Sequence, residues 1–337
     1  MRIALVATDG CFGVGVVSML DLLGTADALR AELDPAIPPI EVAVAGAGPR
    51  VTSGSGVVLP VSASLADLGD FDLVTVCALG TLSTAATLDA LARPDVRRVM
   101  EAATAAAGRG VRIAGACTGS FALAEAGLLD GGRATTTWWL GPGFRARYPA
   151  VQLDLDAMVV ADERAITAGA AFGHIDLAMA LVRQTSPALA DLVSRLLLVD
   201  ERPSQSAYLA LDHLEHDDAL VRAFENHVRA HLAEPMDIAA AARAIGTSRR
   251  TLERRVAAML GLTPLALVQR LRVERAAYLQ TTTGQGADRI APQVGFANGS
   301  TLRALMRRAG RGSGCPMPPD SRRAAARPRT ALHPYPY

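Results

Sequence analysis

The sequence predicts two kinds of fold in one chain, a doubly wound α/β domain followed by an all-α domain with two helix-turn-helix units. Residues 1–180 alternate short β-branched runs with helical stretches, whereas the pattern is helical throughout from Pro235 to about Gly310. The chain has 337 residues, enough for about two domains. Charge is also divided, because residues 1–200 carry 14 Arg against 21 acidic residues and residues 201–337 carry 20 against 12.

Short apolar runs and helical stretches alternate in the first part. Each run has the length of a buried strand. Because strand and helix follow each other repeatedly, we expect a parallel sheet with helices on both faces. The predicted strands are Ile3–Ala7, Glu41–Ala45, Leu73–Val76 and Val111–Ala114, and the helices between them are Val16–Arg30 and Asp95–Ala107.

The composition argues against a disordered chain and against a membrane-spanning protein. Half of the residues are hydrophobic and a fifth are charged, so both parts can bury a core. No run of 18 or more apolar residues occurs, and we therefore expect no membrane span. The four cysteines are far apart and lack metal-ligand spacing, which predicts reduced thiols in a cytoplasmic protein with no metal and no cofactor.

The C-terminal part is strongly basic. From residue 241 onward it holds 17 Arg against 4 acidic residues. A basic module next to an acidic globular domain is typical of nucleic-acid binding, although a solvated basic surface would give the same count.

The first helix-turn-helix has a clear sequence pattern. A short amphipathic helix over Asp237–Ile245 is followed by a tight turn at Gly246 and by a helix over Ser248–Leu260. Arginine can bridge guanine acceptors and glutamate can accept from cytosine, so the polar face of the second helix suits a major groove. The candidate DNA contacts on this face are Ser248, Arg249, Arg250, Glu253 and Arg254.

A second unit of the same kind follows a long connecting helix over Leu265–Leu279. Its first helix is Ala287–Val294, its turn is Gly295–Asn298 and its reading helix is Ser300–Arg308. The candidate DNA contacts on the reading helix are Ser300, Arg303, Arg307 and Arg308.

These segments together resemble the AraC/XylS family of bacterial transcription regulators over roughly 220–310. The matching residues lie in 244–255, 261–264, 270–276, Ile290-Ala291 and Val294–Phe296. The resemblance implies that both reading helices enter successive major grooves, with contacts from Arg249, Arg250, Glu253, Arg254, Ser300 and Arg303.

Three departures from that family predict a weaker second unit. Pro292 lies inside the first helix of that unit, where a proline costs about 3 kcal/mol. Ala304 stands where the family commonly has arginine. Beyond Ala309 the family's closing motif is replaced by a tail rich in Pro, Gly and Arg, which we expect to be disordered.

The α/β part contains a strand-turn-helix pattern with a thiol at its corner. Small residues surround Cys117 in the stretch Val111–Ser120, as in a nucleophile elbow. The N-terminus of the helix that follows is expected to favour the thiolate. Together with Leu123–Gly131 and Arg133–Trp139, this resembles the PfpI-like branch of the class I glutamine-amidotransferase-like superfamily over about 1–180. That resemblance implies a flavodoxin-like fold, and the joined domains resemble GlxA-type regulators.

A catalytic thiol needs a base. The resemblance places Thr137 where the enzymatic relatives have histidine. His174 is the one histidine of the α/β part, and we expect it to be a core or helix-end residue. We therefore interpret the domain as a sensor in which ligand-binding residues follow the strands. The candidate pocket residues are Asp9, Cys11, Cys77, Gly80, Cys117, Thr118 and Thr137.

The sequence thus predicts a cytoplasmic transcription regulator that binds double-stranded DNA, a small-molecule effector and RNA polymerase. We expect it to act as an activator, although the sequence does not determine the sign of regulation. The predicted domains are a PfpI-like α/β sensor domain over 1–183, a helical linker over 184–220, an AraC-type DNA-binding domain over 221–310 and a tail over 311–337. Two alternatives stay open, a cysteine-dependent amidase or hydrolase and a thiol redox sensor, each joined to a DNA-binding domain. The leucines over Leu189–Leu197 predict either a homodimer contact or a core helix, and Trp138 and Trp139 either an interface, a pocket wall or core packing.

Overall fold

A computed structural model describes residues 1–200, 202, 204, 205, 216 and 218–308. The predicted tail over 311–337 and Cys315 lie outside the described residues. The strands are β1 Arg2–Val6, β2 Glu41–Gly46, β3 Arg50–Thr52, β4 Val58–Pro60, β5 Ala63–Ser64, β6 Leu73–Val76, β7 Arg112–Ala116, β8 Arg133–Ala134, β9 Gln152–Leu153, β10 Val159–Ala161 and β11 Ala165–Ala168. The helices are α1 Gly13–Leu33, α2 Thr84–Leu91, α3 Pro94–Gly108, α4 Gly119–Glu125, α5 Gly141–Arg147, α6 Gly173–Thr185, α7 Pro187–Leu197, α8 Ala219–Ala230, α9 Ile238–Ala244, α10 Arg249–Leu260, α11 Pro264–Thr283, α12 Ala287–Gln293 and α13 Gly299–Arg308.

The α/β half is a flavodoxin-like three-layer α/β/α sandwich, with one main sheet between two layers of helices, as the sequence predicted. Seven strands form one sheet in the order β10-β11-β7-β6-β1-β2-β5, and every pairing is parallel except that of β10 with β11. Alternation along β1 divides the core between the two faces. Ile3 and Leu5 pack with α1, α6 and α7, whereas Ala4 and Val6 pack with α3 and α4.

Three strands of this sheet were not predicted, namely the two-residue edge strand β5 and the strands β10 and β11. β11 is a short, alanine-rich segment that pairs with β7, and β10 closes the sheet beyond it. As a result β7 lies inside the sheet, and the backbone amide of Cys117 at its end donates to the carbonyl of Ala168 over 2.8 Å.

Helix α7 packs against α1 and α6 of the α/β half. Leu189 and Val193 are fully buried there, while Leu196, Leu197 and Leu198 are 57%, 40% and 89% exposed. The leucine stripe is therefore divided between a core face and an exposed end. The predicted boundary between the α/β domain and the helical linker, at residues 183/184, stays a prediction.

The helical half consists of the two helix-turn-helix units that the sequence predicted, joined through α11. The first cluster is formed by α8, α9, α10 and the start of α11, and the second by the middle of α11 with α12 and α13. Leu271 belongs to the first cluster and Val273 to the second, so one helix supports both. Pro292 is the penultimate residue of α12, so the bond that it removes lies in the last turn of the helix.

The two halves of the chain are in contact with each other. Helix α5 packs against α10, and Trp138 packs against the first cluster. Trp138 therefore lies at an interface between the halves. Within the described residues no single helix is long and apolar enough to cross a membrane, although α10 and α11 pass that test as a pair bent by 60°.

Candidate functional site

The exposed face of α10 carries the predicted DNA contacts. Ser248 caps the helix by accepting from the Thr251 amide over 3.1 Å, and Gly246 turns the chain before it with φ of 74°. Leu252 and Val256 are fully buried on the opposite face. The turn and the buried face thus fix which residues of α10 point outward.

Arginine side chains dominate this outward face. Arg250 and Arg254 are exposed, and Arg249 pairs with Glu253 over 2.7 Å. The Arg249 side chain is 64% exposed, so the pair holds its guanidinium at the surface rather than in the core. The face presents donors and one carboxylate, which is the chemistry needed to contact bases and phosphates.

A third face of α10 is turned toward the rest of the molecule. Arg255 pairs with Asp218 over 2.7 Å, and the Asp218 side chain is only 2% exposed. Burial raises the pKa of Asp218, but the amides of Val221 and Leu220 and the Arg255 guanidinium outweigh it and keep the pKa below its usual value. Arg255 therefore anchors α10 on the cap of α8.

The second reading helix is arranged differently. Asn298 caps α13 by accepting from the Thr301 amide over 2.9 Å and from the Ser300 hydroxyl over 2.6 Å. Arg303 pairs with Asp288 over 3.1 Å. Arg307 is exposed and lies one turn further on. Two of the predicted contacts, Ser300 and Arg303, thus already have partners within the protein.

The elbow of the α/β half has the predicted backbone geometry. Cys117 has φ of 54°, a left-handed conformation that non-glycine residues rarely adopt. Gly119 allows the turn, because a Cβ there would collide with the Val76 carbonyl. The hydroxyl of Thr118 accepts from the Leu79 amide over 2.9 Å and thereby joins the elbow to the loop after β6.

The thiol of Cys117 is not ionised in this site. The residue is 4% exposed, and burial raises its pKa to about 11, although the Thr118 amide and the hydroxyls of Thr137 and Thr118 lower it. From the sequence, the helix N-terminus was expected to favour the thiolate, but burial shifts the pKa in the opposite direction. Burial outweighs the hydrogen bonds that favour the thiolate here.

His174 is a structural residue of the core. It is fully buried, and its Nδ1 lies 2.8 Å from the Ala171 carbonyl while its Nε2 accepts from the Ala78 amide over 3.3 Å. Burial lowers its pKa to about 4, so the ring is neutral. Since both nitrogens are bonded to backbone, the ring is not available to accept a proton from Cys117.

The other predicted pocket residues meet at the carboxyl edge of the sheet. Asp9 Oδ1 accepts from the Thr52 amide over 2.8 Å, and Gly80, with φ of 74°, lies so close to the Gly10 carbonyl that a Cβ would collide with it. Asp9 and Gly80 are exposed, and the rest of the set lies beneath them. The buried members are Cys11, Cys77, Cys117, Thr118 and Thr137.

One residue of this region has no signal in the sequence. Gln205 comes from the segment between the two halves, yet it is fully buried next to Thr135 and Thr136. Thr136 Oγ1 donates to the Cys117 carbonyl over 2.8 Å, so Gln205 lies close to the elbow. A glutamine in a polar linker is normally exposed, and only the fold reveals its position.

The geometry defines a class of protein: a flavodoxin-like α/β domain with a cysteine elbow, joined to a pair of helix-turn-helix units. Comparison with family models agrees. Residues 1–184 match the DJ-1/PfpI family and residues 241–310 match a helix-turn-helix domain. The chain belongs to the DJ-1/PfpI family and carries a helix-turn-helix domain after it.

Curated relatives and solved structures are similar to the chain. The HTH-type transcriptional regulator CdhR of Pseudomonas aeruginosa is 32% identical over 57% of this chain and 58% of its own length. The regulator GbdR of the same species is 28% identical over 58% of this chain and 54% of its own. The chain therefore spans a little over half the length of these relatives. A THiJ/PfpI family protein from Pseudomonas syringae shares the fold, with a TM-score of 0.50 at 21% identity over 63% of this chain and 81% of that one.

Proposed function

We propose that the chain is a cytoplasmic bacterial transcription regulator that binds DNA in a sequence-specific way and senses a small molecule through its α/β half. The outward face of α10 is the observation that carries this proposal. Arg250 and Arg254 are exposed on a helix whose other two faces are fixed, one in the first cluster and one by Arg255. The names of the relatives, which are transcriptional regulators, support the same function.

Sensing without catalysis is the role that the elbow supports. Burial gives Cys117 a pKa of about 11, so almost no thiolate is present at neutral pH. Thr137, which lies beside the Cys117 thiol, cannot act as a base. Both ring nitrogens of His174 are hydrogen-bonded to backbone groups. An amidase or a redox sensor would each need an ionised thiol here, which argues against both alternatives.

The exposed end of α7 supports dimer formation. Leu196, Leu197 and Leu198 project from the α/β half, while Leu189 of the same helix is in the core. A second copy packed on this end would bring two pairs of reading helices onto one DNA site. Activation through RNA polymerase is part of the same proposal.

A selection experiment tests the proposed function. The full chain is mixed with a pool of random duplexes, and bound DNA is recovered and sequenced over several rounds. The proposal predicts enrichment of one motif, and the motif should lose definition with Arg250→Ala. Arg98→Ala removes the same charge from an exposed site on α3 and should leave the motif unchanged. Recovery of unrelated sequences by the unchanged protein would contradict the proposal.

A further inference from the structure

The segment between the two halves contacts the α/β half at Arg202, whose guanidinium pairs with Asp176, and again at Ser204 and Gln205. The backbone amide of Gln205 donates to the Asp156 carbonyl over 2.9 Å. Its neighbour Ser204 forms an isolated antiparallel bridge with Ala157. These contacts hold the segment along the chain that leads into β10.

The side chain of Gln205 enters a subsite lined with acceptors. Its Nε2 donates to the Thr135 hydroxyl and the Thr136 carbonyl, both over 3.0 Å, and more weakly to the Ala157 carbonyl at 3.4 Å. Gly169 forms the opposite wall, where a Cβ would lie 2.5 Å from the same nitrogen. The subsite is therefore shaped for a nitrogen that carries N–H donors.

The other end of the carboxamide fits poorly. Oε1 of Gln205 is buried and has no hydrogen-bond partner among the described residues. A buried carbonyl oxygen without a partner disfavours the packed arrangement. The Nε2 group thus satisfies the acceptors of the subsite, whereas the unpaired Oε1 lowers the stability of the bound side chain relative to one with both ends hydrogen-bonded.

The subsite belongs to the edge of the sheet where the effector is expected. The amide of Thr135 donates to the Thr167 hydroxyl over 2.8 Å, and the hydroxyl of Thr136 donates to the Cys117 carbonyl. The two threonines that contact Gln205 are therefore tied to β11 and to the elbow. The segment that contains Gln205 leads to α8, the first described helix of the DNA-binding half.

We propose that the carboxamide of Gln205 is an internal ligand and that the effector displaces it with an N–H donor group, either an ammonium or a carboxamide. The inference rests on the proposed function, because it names the chemical class of effector for the same α/β sensor. Displacement releases the Gln205 side chain from Thr135 and Thr136, while Arg202 keeps its ion pair with Asp176. The effector can shift this balance only by binding the opened state more tightly than the state in which Gln205 occupies the subsite.

Small probes of the donor class test the proposal on the full chain. Calorimetric titration with glycinamide and with methylammonium compares a carboxamide and an ammonium, and tetramethylammonium serves as a probe without N–H. Gln205→Ala removes the internal competitor, so we expect at least one donor probe to bind about tenfold more tightly than to the unchanged protein. Gln184→Ala, a glutamine with an exposed contact to Arg112, should bind like the unchanged protein.

Equal affinities of Gln205→Ala and the unchanged protein for both donor probes would overturn the inference, as would an equal gain for tetramethylammonium, which would indicate a mere cavity. If Gln205→Ala does not fold, Gln205→Asn takes its place, because its carboxamide is one methylene shorter and cannot reach all three acceptors. Binding to the selected duplex is measured on the same samples. Normal DNA binding without a probe gain overturns only this inference, whereas absence of DNA binding in the unchanged protein counts against the proposed function.

Discussion

Individual residues show how far local sequence determines a site and where the fold takes over. The small residues around Cys117 were enough to predict its strained turn, which the structure has with φ of 54°. Its protonation was not predictable in the same way. The pKa depends on how completely β11 and the loop with Thr137 bury the thiol, and neither is visible in the residues next to Cys117 in sequence.

The raised pKa makes Cys117 unreactive. With a pKa of about 11, the thiolate fraction at pH 8 is about a hundredfold lower than for an exposed cysteine. We expect iodoacetamide to alkylate Cys117 of the folded protein at least that much more slowly than it alkylates the urea-unfolded chain. Peptide mass spectrometry measures the rate for each cysteine separately. Rapid modification of Cys117 in the folded protein would revive the enzyme and redox alternatives.

His174 gives the stability of the α/β half a defined pH dependence. Its pKa is about 4 in the folded protein and about 6.5 when unfolded, so between these values the unfolded chain binds more protons. The free energy of unfolding contributed by this residue is complete above pH 6.5 and is lost as the pH falls toward 4. Between pH 7 and pH 5 we expect a loss of about 2 kcal/mol.

Urea unfolding at the two pH values measures this loss. His174→Gln removes the titrating group and should reduce the difference between pH 7 and pH 5 by that amount. His231→Gln changes a partly exposed histidine of the other half and should leave it unchanged. An identical pH dependence in His174→Gln and the unchanged protein would show that the buried imidazole does not titrate as described.

At the scale of elements, strongly patterned segments were predictable and weakly patterned ones were not. The runs at β1, β2 and β6 contain two or three β-branched residues each, and the run Val111–Ala114 before and within β7 contains two. The predicted strands coincide with the observed ones to within one or two residues. β11 was missed because Ala165–Ala168 is short and half alanine, so its strand conformation depends on pairing with β7. In the helical half, caps at Ser248 and Asp237 fixed the helix starts.

Loss of the acidic residue beside the second reading helix should strengthen DNA binding. Asp288 pairs with Arg303 over 3.1 Å and places a negative charge beside the second reading helix. Asp288→Asn frees the guanidinium and removes repulsion from phosphate, so we expect DNA binding about threefold to tenfold tighter. Fluorescence anisotropy with a labelled duplex at 0.15 M salt measures the change.

Asp130→Asn is the matched control, since Asp130 is exposed on the α/β half. It removes the same charge and should change affinity little. Weaker binding by Asp288→Asn, with an unchanged melting temperature, would mean that the pair positions Arg303 for DNA instead of holding it back.

At the scale of the whole molecule, the contact between the halves was the least predictable feature. The sequence predicted either an interface, a pocket wall or core packing for Trp138, and in the structure it packs against the first cluster. Arg255 shares a helix with the candidate readers but pairs with Asp218. Such assignments depend on which surfaces meet, and that information is spread over residues far apart in the chain.

The exposed end of α7 makes a dimer contact testable without disturbing the core. Leu196→Glu combined with Leu198→Glu introduces charge at positions that are 57% and 89% exposed, so the α/β half should stay folded. We expect sedimentation to show a monomer and DNA binding to weaken at least tenfold. Leu265→Glu, which is 53% exposed on α11, should leave the dimer intact. A double variant that sediments like the unchanged protein would place any dimer contact elsewhere.

Specific and non-specific DNA binding by the full chain show directly whether α10 reads the DNA sequence. Affinities for the selected duplex and for a scrambled duplex are measured over a series of salt concentrations, with the unchanged protein, Arg250→Ala, Arg254→Ala and the control Arg98→Ala. If α10 reads the DNA sequence, each α10 variant loses about tenfold to a hundredfold of the preference for the selected duplex, while Arg98→Ala retains it. If the unchanged protein binds both duplexes equally, or if the α10 variants keep the full preference, α10 does not read the sequence.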